Sequence, residues 1–143
     1  MKVTDIDLRK MLLFEPESGR LLLGNERYLL FRQEAFAALR KLLFEQLGPS
    51  LATSLLAQFG YRCGTGDYES LTKRYEWDSD ADRLAAGPTM HCWEGLVRAV
   101  TDTVSYDRSA GVFEMSGTWQ SSYEAELQLT LFGRSQTSAC HTL

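Results

Sequence analysis

Residues 111–120 read GVFEMSGTWQ, and their alternation sets Phe113, Met115, Gly117 and Trp119 on one face and Val112, Glu114, Ser116, Thr118 and Gln120 on the other. A repeat of two is that of a strand. Residues 95–106 before it are rich in β-branched side chains, and Asp107-Arg108-Ser109-Ala110-Gly111 supplies a turn, so the two segments predict an antiparallel hairpin. Further upstream, His91 is one of two histidines and stands 28 residues before Trp119, inside the largely apolar stretch AGPTMHCWEG at 86–95.

The rest of the chain supplies helices and a second set of strands. Residues 11–31 predict short strands around Glu15-Pro16-Glu17-Ser18-Gly19 and a further turn at Gly24-Asn25, an N-terminal β-meander. Phe36, Leu39, Leu42, Leu43 and Leu47 recur at three and four, which predicts a helix over 33–47 ending at Gly48. Pro49 suits the start of a second helix, with Leu51, Leu55, Leu56 and Phe59 on one face and a stop at Gly60. Tyr68, Leu71 and Tyr75 make a third stripe. Ser79 with Asp82 starts a short helix toward Leu84 and Ala85, and Gly87-Pro88 is expected to break it. A last helix is expected to be capped by Ser121 with Glu124, to end at Gly133 and to turn Tyr123, Leu127 and Leu131 inward. The fold class is therefore α+β, an antiparallel sheet with helices packed mainly on one side.

Composition bounds the function. With 143 residues and 44% hydrophobic content, the chain fits one domain, 1–143, able to bury a core. Its apolar runs are too short to cross a bilayer and no leader-like segment opens it, which predicts a soluble protein of the cytoplasm with no membrane partner. A net charge of −4 without a basic cluster argues against direct nucleic-acid contact. The three cysteines are odd in number, widely spaced and without a CxxC pair, as in a reducing compartment. Phosphate-loop, dinucleotide and HExxH motifs are absent.

A buried neutral imidazole carries one donor and one acceptor and needs partners for both. His91 is therefore a candidate to recognise a hydroxyl, with Trp119 offering an indole donor and a flat surface for a small aromatic ring. No nucleophile, carboxylate pair or metal triad accompanies them, which favours binding over catalysis. The plainer reading is that His91 bonds a backbone carbonyl and Trp119 fills the core, and residues alone leave it in place. Glu124 and Glu126 read as a solvated helix face, Cys63 and Cys92 as small buried side chains, and adjacent Cys140-His141 as an awkward metal pair that needs further ligands.

Four ordered blocks carry a resemblance: LLFEPESGRLLLGNERYLLF, AGPTMHCWEGLVR, FEMSGTWQSSYEAELQLTLFG and SACHTL. Together they resemble the N-terminal effector-sensing region of the XylR/DmpR class of sigma-54-dependent activators of aromatic catabolism, whose later part is a 4-vinyl-reductase-like domain. The resemblance implies a dimerisation-type subregion over about 1–60 and the start of the vinyl-reductase-like ligand-binding portion over about 61–143, incomplete at its C-terminus. It further implies a small aromatic effector, a homodimer, a downstream AAA+ ATPase whose repression the effector relieves, and no enzyme activity in this segment. By motif, the implied ligand-binding set is His91, Trp119, Leu84, Gly117 and Trp93. Cys140 corresponds to the first ligand of a structural zinc site whose other ligands lie beyond Leu143, so no cofactor site is complete here. Residues 137–143 likewise read as the start of another strand, as expected of a piece of a longer protein. Gly117 replaces a bulky aromatic of phenol-sensing relatives, which implies a roomier cavity. The alternative function is a protein-interaction or dimerisation module without ligand.

Overall fold

The meander forms where the turn residues place it. In the structure, a computed structural model that describes residues 1–133, strands β1 (Leu12–Glu15), β2 (Arg20–Leu23) and β3 (Glu26–Tyr28) pair antiparallel in sequence order. Leu12 faces Leu23 and Glu15 faces Arg20 across the first turn, where Gly19 takes φ 64°. At the second turn Gly24 also has positive φ, and the Arg74 guanidinium occupies the space a side chain there would need while donating to the Leu23 carbonyl at 3.1 Å. Before the meander, Asp7 caps the short helix α1 (Leu8–Met11) by accepting from the Arg9 backbone.

Contacts divide the chain into two compact units, Met1–Leu29 with Tyr68–Gln120, and Leu30–Asp67 with Ser121–Leu143. In the first unit the core is Ile6, Leu8, Leu23, Leu71, Ala86 and Met90, with Trp77 and Trp93 packed against it. Met90 is 1% exposed. It lies on helix α3 (Asp80–Trp93), whose N-cap Ser79 accepts from the Asp82 amide as the sequence predicts. The expected break at Gly87-Pro88 is corrected: α3 runs through both residues to Trp93. A proline disfavours helix at the preceding residue by striking its Cβ, and Gly87 has none. Ala86 and Met90 also anchor this stretch in the core, which outweighs the bond lost at Pro88. Gly95, φ 77°, ends the helix, and the Leu96 amide closes on the His91 carbonyl at 3.0 Å.

Strands β4 (Arg98–Asp107) and β5 (Val112–Gln120) then form the expected hairpin in the same unit. Asp107 Oδ1 accepts from the amides of Ser109 and Ala110 and from the Ser109 hydroxyl, which folds the turn. A bulge at Asp102 interrupts the register between Thr101↔Gly117 and Thr103↔Ser116.

The second unit holds most of helix α2 (Gln33–Arg74), whose residues from Tyr68 belong to the first unit, and helix α4 (Tyr123–Phe132). Gly48 leaves helical geometry at φ 74°, ψ 165°, just before Pro49, as predicted. The expected stop at Gly60 is corrected, because helix continues through Gly60, Gly64 and Gly66 to Arg74. A helical glycine costs only about 1 kcal/mol relative to alanine, and Ala52, Leu56 and Gly60 are buried at four-residue spacing, so packing holds the turn. Leu39, Leu42, Leu51, Leu55 and Phe59, on the apolar stripes the sequence predicts, are exposed. Ser122 rather than Ser121 caps α4, since Ser121 has φ 52° and Ser122 the extended conformation a cap requires. Glu124 is not solvated: it is 3% exposed and paired with Arg40, because the partner that lets the charge sink inward is 84 residues away. Leu127 is buried as predicted.

Candidate functional site

His91 sits in the last turn of α3, half-buried, with Nδ1 3.5 Å from Glu94 Oε2. Glu94 was not anticipated, although three residues on is the spacing at which helical side chains meet. The carboxylate can hold one ring nitrogen and leave the other for a ligand hydroxyl. Which nitrogen carries the proton depends on the tautomer.

Trp119 lies near the end of β5, opposite Ala99, and is 47% exposed. The link between histidine and tryptophan runs through Cys92. Its Sγ accepts from the Ala99 amide at 3.2 Å and donates to the Pro88 carbonyl at 3.3 Å, which ties the end of α3 to the start of β4, directly across from Trp119. Reading Cys92 as a buried small side chain is therefore corrected: it is exposed and works through hydrogen bonds to backbone. No sequence signal marks such a contact, because the Ala99 partner is a main-chain group.

The remaining expected residues separate into two groups. Leu84 is seven residues before His91 on α3, hence on the same helical face. Gly117 shares the Trp119 face of β5. Trp93, two residues after His91, points elsewhere on the helix: the Arg9 guanidinium covers its ring at 5.1 Å, and it packs against the core cluster. A Cβ on Gly117 would lie 2.5 Å from the Val100 carbonyl oxygen and 3.2 Å from Thr101 Cα. Glycine is thus needed for the close backbone approach beside the bulge, a reason the sequence did not show.

Among the described residues no group of three His, Cys, Asp or Glu side chains is placed to hold a metal ion, and no helix is long and apolar enough to cross a membrane. Cys140, His141 and the strand expected over 137–143 lie outside the described residues.

Comparison with known proteins bears on the family and the fold. A family model described as "Activator of aromatic catabolism" matches residues 7–107. The phenol regulator MopR of Acinetobacter guillouiae is 29% identical over 137 residues, and the transcriptional regulatory protein XylR of Pseudomonas putida is 24% identical over 137 residues. Each match takes in 96% of this chain but 24% of the relative, so the chain spans about a quarter of their length. Among solved structures, the phenol-responsive sensory domain of the transcription activator PoxR with phenol superposes with a TM-score of 0.87 at 32% identity, over 97% of this chain and 68% of that one.

Proposed function

We propose, from the premise that the chain belongs to the family of activators of aromatic catabolism, that it is a regulatory sensory segment rather than an enzyme and binds a small aromatic effector. The observation that carries this reading is the Cys92–Ala99 contact, which gathers the His91 end of α3 and the Trp119 end of β5 at one place. Its likeness in fold to a sensory domain solved with phenol supports the same assignment. His91, steadied by Glu94, reads the effector hydroxyl, Trp119 stacks on the ring, and Leu84 and Gly117 line the same faces. Trp93 has a supporting role, engaged by Arg9.

In the whole regulator, effector binding in a buried pocket relieves repression of a downstream AAA+ ATPase that acts on sigma-54 polymerase in the cytoplasm. The regulator is a homodimer, with dimerisation assigned to about the first 60 residues. Exposed Leu39, Leu42, Leu51, Leu55 and Phe59 on α2 favour such an association. Cys140 serves as one ligand of a structural zinc in the longer protein, but the described residues do not themselves fit a zinc site.

Because the Val100 carbonyl leaves no place for a Cβ at Gly117, the bulky aromatic that phenol-sensing relatives carry there is missing from the site, and its absence favours effectors bulkier than phenol. Calorimetric titration with phenol, an alkylphenol and a hydroxybiphenyl tests the assignment. For ligands of this size we expect affinity on the order of micromolar, strongest for the bulkier compounds. Tight phenol binding with no gain for larger analogues removes the Gly117 role, and no heat with any of them removes the sensory reading.

A further inference from the structure

The second unit contains a buried ion pair that effector recognition does not use. Arg40, on the first stretch of α2, and Glu124, in the first turn of α4, have side chains 5% and 4% exposed. Arg40 Nη1 donates to Glu124 Oε1 at 3.1 Å and Nη2 to Gln128 Oε1 at 3.0 Å, one turn further along α4. The guanidinium lies 5.5 Å from the centre of the Phe44 ring. Close by in sequence, Tyr123 meets Phe36 edge-on, with ring centres 6.3 Å apart. Within this setting, and among the described residues, Arg40 Nε and Glu124 Oε2 are buried without a hydrogen-bond partner.

A buried ion pair recovers its desolvation cost only when its geometry is good and its remaining donors and acceptors are satisfied. Among the described residues this one has a single direct bond and an orphan on each side. Burial pushes the Glu124 carboxyl above its ordinary range despite the pull of Arg40, in keeping with an incompletely compensated charge. An apolar pair of similar volume would dock α4 more firmly. The guanidinium also has acceptors at two successive turns of α4, and turning the carboxylate to take both of its bonds would free Gln128. That gives the contact discrete alternative arrangements, the property a switchable element needs.

We infer that Arg40, Glu124 and Gln128 form a releasable polar clasp that docks α4 on the first stretch of α2, so that α4 opens locally while the rest of the fold stays closed. The clasp stands independently of the effector. Amide hydrogen exchange on the full chain tests it. In the unaltered protein the α4 amides are expected to exchange at least tenfold faster than those flanking Met90. Arg40→Met combined with Glu124→Leu is expected to slow α4 exchange at least tenfold and raise the melting temperature. Arg40→Met alone, which leaves the Glu124 carboxylate buried without its guanidinium, is expected to speed α4 exchange at least threefold with α3 unchanged. Should the double variant fail to fold, Arg40→Met decides alone. Equal protection of α4 and α3, no slowing in a folded double variant, or no change with Arg40→Met would each overturn the clasp.

Discussion

The first unit combines two regions built on opposite terms. Around Met90 the side chains of Ile6, Leu8, Leu23, Leu71 and Ala86 are buried nearly completely, whereas every residue of β5 is exposed, Trp119 included. The core region is fixed by packing and the hairpin by hydrogen bonds, the Asp107 turn and one glycine contact. Stability and recognition are thereby carried by different residues, and Cys92 joins them. A sensor gains from this arrangement, because a ligand can change the hairpin's surroundings without having to rebuild the core.

Truncating one side chain from each region separates the two most strongly. Met90→Ala is expected to cost about 2–5 kcal/mol in urea unfolding, against less than about 1 kcal/mol for Trp119→Ala. Similar losses for the two would mean that the hairpin is as packed as the core. Gly117→Ala should be the exception within the hairpin, costing about 1–3 kcal/mol because the new methyl strikes the Val100 carbonyl. The neighbouring Thr118→Ala, at an exposed position, should be close to neutral in the same unfolding measurement.

The smallest effects are expected from pH, and here two carboxyl groups differ in sign. The hydrogen bond from Arg9 holds Asp7 at about 2, below its ordinary 3.8, so its contribution is present above pH 3.8 and is lost as pH falls toward 2. Glu124 is raised above 4.5 by burial, so its contribution is fullest below pH 4.5 and declines as pH rises through the folded value. Melting curves from pH 2 to 7 should show Asp7→Asn flattening the acid limb and Glu124→Gln flattening the decline above pH 4.5.

The elements governed by local chemistry were legible in the sequence. The alternation of residues 112–120, the Asp107 turn, the Gly19 and Gly24 turns, the Gly48-Pro49 interruption and the Ser79 cap each depend on residues within a few positions. What escaped depends on distant partners. Gly60 and Gly87-Pro88 stay helical because Ala52, Leu56 and Gly60, and then Ala86 and Met90, are buried. Glu124 reads as solvated until Arg40 is brought to it. At the candidate site, the His91-to-Trp119 interval and the strand face were readable, but the Cys92 bond to the Ala99 amide and the close approach at Gly117 involve main chain and leave no side-chain pattern.

In the proposed site the His91 end of α3 reads an aromatic hydroxyl while the core beside it supplies stability. Thermal melting with and without millimolar phenol, on the unaltered chain and on His91→Ala, separates these two roles. Phenol should raise the melting temperature of the unaltered chain by several degrees, and His91→Ala should melt close to the unaltered value without phenol yet lose most of the rise. An equal phenol-induced rise in both proteins, or unfolding of His91→Ala with no selective loss of response, would contradict it.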